Sequence, residues 1–142
     1  MIIGIGEDTC DIRRLAEVLA RHPARFLERC FTPAEREKSA RRKGRNEPAS
    51  TLAKRFAAKE ACAKALGTGL GREGVSFRAI GVVNAATGAP TLELTGAAAM
   101  RMRKMTPSGM TPRIHVTLGD EYPYARALVI IEAIPASDPL DA

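Results

Sequence analysis

A chain of 142 residues fits one domain, and its 45% hydrophobic residues suffice for a core, but with no Trp and only 4% aromatics that core must be Ala, Leu, Ile and Val. The net charge of +6 points to an acidic partner or a polyphosphate ligand, with nucleic acid as the rival. Cys10, Cys30 and Cys62 form no CxxC pair, no apolar run approaches the ~20 residues that cross a bilayer, and Met1-Ile2-Ile3-Gly4 lacks the basic start of a signal peptide; disulfide framework, zinc site and membrane span are therefore not expected, and the cytoplasm is.

In chain order, residues 1–5 are a β-branched run that predicts a strand, with residues 6–8 as its polar end. Asp11 is placed to cap a helix whose apolar positions are Ile12, Leu15, Val18 and Leu19, and His22-Pro23 ends it. Phe26, Leu27 and Phe31 suggest a second short helix. Thr32-Pro33-Ala34-Glu35 starts a third, with Thr as cap, Pro in the first position and Glu in the third. Residues 36–46 are strongly basic and read as a mobile loop. The longest helix is expected over residues 48–66, closed by Gly67, and its alanines imply a close neighbour.

Residues 77–84 and 90–94 are expected to pair as a hairpin, 96–105 to form a short helix, and 113–118 and 125–134 to be strands joined by a turn at Gly119-Asp120-Glu121. This order predicts an α+β fold: a mostly antiparallel sheet with one long central helix and shorter helices. Residues 1–134 are expected to be a single domain and 135–142 a flexible tail. So small a core would also gain from oligomerisation.

Three segments carry residue types suited to chemistry. Asp8 follows the first strand; Mg²⁺ takes one or two carboxylates and completes its shell with water and phosphate oxygens, although acidic residues after strands are also common turn formers. Glu60 on the long helix shares a face with Ala53 and Phe56, where a carboxylate is costly unless paired or metal-bound. Arg55, Lys59 and Lys64 supply positive charge around it, and an i, i+4 pair with Lys64 is the ordinary structural alternative. The helix runs into Gly67-Thr68-Gly69, where glycines let backbone N–H groups approach an anion, although the P-loop pattern is absent. His115 and Thr117 alternate onto one strand face, offering an imidazole and a hydroxyl to phosphate oxygens or to proton transfer; a strand histidine is also commonly structural. Together these residues suit a Mg²⁺–pyrophosphate ligand, whose chemistry depends on positioning and charge neutralisation.

The order of these segments resembles the holo-acyl-carrier-protein synthase family, the small single-domain class of 4′-phosphopantetheinyl transferase. The resemblance spans roughly residues 2–132. It rests on Gly4-Ile5-Gly6-Glu7-Asp8, Phe31-Thr32-Pro33-Ala34-Glu35, Lys54-Arg55-Phe56-Ala57-Ala58-Lys59-Glu60-Ala61, Lys64-Ala65-Leu66-Gly67-Thr68-Gly69, Gly88-Ala89-Pro90 and His115-Val116-Thr117-Leu118. It implies transfer of 4′-phosphopantetheine from coenzyme A to a serine of apo-acyl carrier protein, in support of fatty acid biosynthesis. It implies Asp8 and Glu60 as Mg²⁺ ligands, and Arg55, Lys64, Gly67, Pro90, His115 and Thr117 as coenzyme A contacts. Glu60, Lys64 and His115 are the implied catalytic residues, and Arg14, Arg21 and Arg25 the docking residues for the acidic carrier. It further implies a homotrimer with active sites at subunit interfaces. Asp11 stands where the family usually has Glu, Ala89 where it has Lys or Arg, and Gly119-Asp120 is less familiar after the His-Val-Thr-Leu strand. The alternative reading, from charge, is a small basic nucleic-acid-binding protein, which the scarcity of aromatics for base stacking opposes.

Overall fold

The structure, a computed structural model, describes residues 1–44, 46–71 and 74–137. Strand β1 (Ile2–Asp11) is followed by helices α1 (Ile12–Arg21), α2 (Pro23–Cys30), α3 (Pro33–Arg41) and α4 (Glu47–Leu66), then by a 3-10 turn at Phe77–Ala79. Strands β2 (Ile80–Asn84) and β3 (Pro90–Leu94), helix α5 (Gly96–Met105), and strands β4 (Met110–Glu121) and β5 (Tyr124–Pro135) complete the order. The α+β prediction holds: β1, β5 and β4 form an antiparallel sheet in the order β1-β5-β4, β2 and β3 form a separate hairpin, and α4 crosses the main sheet.

The contact between α4 and β1 fixes much of the architecture. Ala57, Ala58, Ala61, Ala65 and Leu66 of α4 are buried against Ala127, Val129 and Ile131 of β5. Small side chains bring the helix so near that a Cβ at Gly4 or Gly6 would run into the carbonyl oxygens of Ala65 and Ala61. This explains why β1 is longer than residues 1–5: Gly6, like Gly4, belongs to the strand because only glycine lets it lie flush on the helix, and the pairing runs on to Asp11 opposite Tyr124. A second cluster joins Ile12, Leu15, Phe31, Leu52 and Ala125, with Phe26, Phe56 and Phe77 packed against it.

Local signals set most element ends. The Asp11 side chain caps α1 through Arg13 N–H. Thr32 and Glu35 form a reciprocal capping box, with Thr32 N–H donating to Glu35 Oε1 at 2.8 Å and Glu35 N–H to Thr32 Oγ1 at 3.3 Å. Gly67 closes α4 in the left-handed conformation, φ 74°.

Further boundaries differ from the sequence expectation. The basic stretch 36–46 is helical as far as Arg41, since the capping box nucleates a helix whose Arg36, Glu37 and Arg41 point to water; Arg45 lies outside the described residues. Residues 77–79 form a 3-10 turn ahead of β2 instead of its first residues. Gly119-Asp120-Glu121 is not the turn: β4 continues to Glu121, and Tyr122-Pro123 makes the reversal with a cis peptide bond. Pro123 carbonyl accepts from Ile12 N–H at 2.8 Å, so the hairpin tip is tied to the start of α1. At the C-terminus β5 runs to Pro135, and of the expected tail 138–142 lie outside the described residues.

Candidate active site

Strand alternation aims Asp8 at α4. Asp8 pairs with Ala127 of β5, which is buried on the helix-facing side, in the same parity as Gly4 and Gly6. There it meets Glu60. Burial, and then the charge of Asp8, push the Glu60 carboxyl above the usual carboxylate range, while Lys64 pulls the other way. Lys64 does not close the i, i+4 pair with Glu60. Its Nζ crosses to β1 and donates to Asp8 Oδ1 at 3.0 Å and to Glu7 carbonyl at 2.8 Å. Of the other cations expected around Glu60, Lys59 turns into the core and Arg55 opens onto a different cavity.

A cavity of about 280 Å³ begins at Asp8 and continues over Cys10, Arg14, Leu15, Val18, Phe26 and Phe56. Its floor is apolar, Arg14 lines it, Arg25 borders an adjoining hollow that shares Val18 and Phe26, and Arg14, Arg21 and Arg25 are all exposed on α1 and α2. Cys10 lies in its wall as a thiol, pushed up to about 11 by burial and by the Asp8 and Asp11 charges. Asp11 has a separate task. Its hydrogen bonds with Arg13 lower its carboxyl to about 2, and it serves as the helix cap.

A second cavity, about 180 Å³, collects Lys38, Arg42, Lys54 and Arg55 with Thr51, Asn84, Pro90 and Leu118. Arg55 is 5% exposed, donates from Nη1 to Thr51 carbonyl at 3.3 Å, and has an Nε with no hydrogen-bond partner. Lys38 is held by Asn84 Oδ1 at 2.6 Å, and Lys54 by Asp120 at 3.2 Å. Burial and the neighbouring cations push the Lys38 ammonium down. Four cations converging, with one guanidinium N–H unsatisfied, suit a multiply charged anion.

His115 and Thr117 take the other parity of β4 and lie on the outward face of the sheet, opposite to Asp8 and Glu60. His115 sits in a row with Ile130 and Ile5, and Thr117 in a row with Leu128 and Glu7. His115 Nε2 is 2.8 Å from Glu132 Oε2, which holds the Glu132 carboxyl below its usual range. The face mixes exposed apolar residues, Ile5 at 61% and Tyr124 at 47%, with an Arg126–Glu7 ion pair at 2.7 Å.

Residues 4–125 match the 4′-phosphopantetheinyl transferase superfamily. A holo-[acyl-carrier-protein] synthase from Granulibacter bethesdensis is 61% identical over 135 residues, covering 95% of this chain and 92% of that protein. The chain belongs to the holo-[acyl-carrier-protein] synthase family of 4′-phosphopantetheinyl transferases. Among solved structures, the synthase of Neisseria meningitidis aligns with a TM-score of 0.76 at 36% identity, over 93% of this chain and 99% of that one. The synthase of Bacillus anthracis, solved in complex with CoA (3′,5′-ADP), aligns with a TM-score of 0.72 at 34% identity, over 94% and 99%.

Within one chain of this synthase the expected metal, catalytic and coenzyme A side chains thus fall in three places: Asp8, Glu60 and Lys64 together; Arg55 and Pro90 in the cationic cavity; His115 and Thr117 on the outward sheet face; Gly67 closes the far end of α4. Two carboxylates on a glycine-packed frame, one kept high by burial and then by the other, match what a hard divalent cation neutralises. Among the described residues no group of three or more His, Cys, Asp and Glu is placed to hold a metal, but Mg²⁺ needs only one or two carboxylates when phosphate and water supply the rest. Sequence reasoning passed over Lys38, Arg42 and Asn84. Lys38 and Arg42 are four residues apart, the spacing of one helix face, but in a stretch read as a loop that signal has no meaning.

Proposed function

We propose that this chain transfers 4′-phosphopantetheine from coenzyme A to a serine of an apo-acyl carrier protein with Mg²⁺ held by Asp8 and Glu60, and that it serves fatty acid biosynthesis in the cytoplasm. The observation that carries this reading is the meeting of Asp8, Glu60 and Lys64 at the head of an apolar cavity lined by Arg14. Three free cysteines accord with a reducing compartment.

A bound Mg²⁺ supplies neutralisation of the diphosphate oxygens. The side chains do the rest. Lys64 offers charge to the phosphoryl group as it transfers, and Gly67, with the Arg101 guanidinium nearby, ends the same helix on the coenzyme A side. The cavity of Arg55, Lys38, Arg42 and Lys54 suits the 3′-phosphate, and Pro90 borders the adenine. Arg14, Arg21 and Arg25 receive the acidic carrier around Val18 and Phe26. The carrier serine oxygen attacks the β-phosphorus. The bond from that phosphorus to the bridging oxygen breaks, and adenosine 3′,5′-bisphosphate leaves. The serine proton goes to Glu60 of the same chain or to His115 of a neighbouring copy.

His115 and Thr117 point away from Asp8 in their own chain, so they serve this reaction from a neighbour. The half-apolar outward face supports a ring of three copies with sites between them. Incubation with coenzyme A, Mg²⁺ and a panel of apo carriers should add the mass of one phosphopantetheine to a carrier, stop on chelation and resume with Mg²⁺. No addition to any carrier, together with salt-sensitive oligonucleotide binding, would favour the nucleic-acid reading instead.

A further inference from the structure

This inference rests on the proposed cation site and concerns Lys64. Its Nζ is bonded to Asp8 Oδ1 at 3.0 Å and to Glu7 carbonyl at 2.8 Å, while its side chain stays 55% exposed. An ammonium has three donors, and these contacts use two of them.

The backbones that carry the carboxylates have little freedom to adjust. Gly4 and Gly6 seat β1 directly on the carbonyls of Ala65 and Ala61, so the backbones that carry Asp8 and Glu60 cannot shift independently. The part free to move is the flexible four-carbon stem of Lys64. A divalent cation at Asp8 competes with Lys64 for the same carboxylate, and two cations on one carboxylate repel.

We propose that Lys64 is a displaceable counter-cation. Its ammonium clamps Asp8. A divalent cation at Asp8 and Glu60 expels it, and the released ammonium turns to the diphosphate of the ligand. The same lysine is first a rival of the metal and then a donor to the phosphates. Binding of cation and of diphosphate is therefore cooperative, because each favours the position of Lys64 that the other requires.

The test is a Mn²⁺ titration without coenzyme A, followed by electron paramagnetic resonance. Lys64→Met should bind Mn²⁺ about three- to tenfold more tightly than the wild type, the worth of a partly exposed ion pair. Arg14→Gln removes a charge from the same cavity while keeping the clamp, and should change the affinity less than about twofold. No gain in Lys64→Met, or an equal gain in Arg14→Gln, overturns the clamp. Asp8→Asn and Glu60→Gln should both lose Mn²⁺. Binding that survives in both overturns the cation site, and the clamp with it, so the two failures are distinguishable.

Discussion

Two of the three lysines of helix α4, Lys59 and Lys64, lie five residues apart and meet carboxylates in opposite ways. Lys59 and Glu35 are both 0% exposed and 2.8 Å apart. Every group there is answered: Lys59 also donates to the carbonyls of Phe77 and Ile80, and Glu35 accepts from Thr32 and Val82 N–H. Burial pushes the Lys59 ammonium down, yet the network keeps it paired. Lys64 by contrast is exposed, shares Asp8 with the solvent, and leaves Glu60 facing a like charge. The satisfied pair binds α3, α4 and β2 into one unit; the unsatisfied trio is where a ligand gains most by binding. Charge alone does not mark a site, but charge left without an answer does.

The comparison is broken most forcefully at the core. Lys59→Met strands Glu35 in the interior and should lower unfolding stability by about 3–5 kcal/mol in denaturant melts; adding Glu35→Leu should recover most of it. At the exposed trio the effect moves to chemistry. Glu60→Gln should cut transfer at least about a hundredfold. It should also raise Tm by about 1–2 °C at pH 7. The Glu60 carboxyl is raised in the fold, so its ionisation opposes folding only above that range, and the Tm difference should vanish below about pH 4.

A third site lies between these extremes. Arg55→Gln should raise KM for coenzyme A about tenfold while leaving KM for 3′-dephospho-coenzyme A nearly unchanged. The smallest effect belongs to Asp120, bonded to Ser50 Oγ at 2.9 Å and to Lys54. These bonds lower its carboxyl, so its contribution is present above about pH 4 and disappears as pH falls through the depressed value. Asp120→Asn should cost about 0.5 kcal/mol at pH 7 and nothing measurable in acid.

Where one residue type carries one meaning, the sequence could be read directly. Thr32 with Glu35, Asp11 before α1 and Gly67 after α4 all sit in the geometry their spacing implies. Reading failed where a residue answers to something distant. Gly6 resembles a strand ending, but it is the α4 backbone that requires it, as it requires Gly4. Gly119-Asp120-Glu121 has turn composition, yet Asp120 is held in strand by α4 through Ser50 and Lys54. Asp8 and Glu60 could be paired by resemblance before the fold was known. That Lys64 would choose Asp8 over Glu60, and that His115 would face away from both, depends on strand parity across the whole sheet.

That outward placement has a genetic consequence. If each centre draws Asp8 from one copy and His115 from the next, the lesions Asp8→Asn and His115→Ala need not share a fate. Chains carrying either alone would be inert, but subunits mixed and reassembled would regain activity, with about one centre in four whole in a random ring. Two dead alleles would then make a living enzyme.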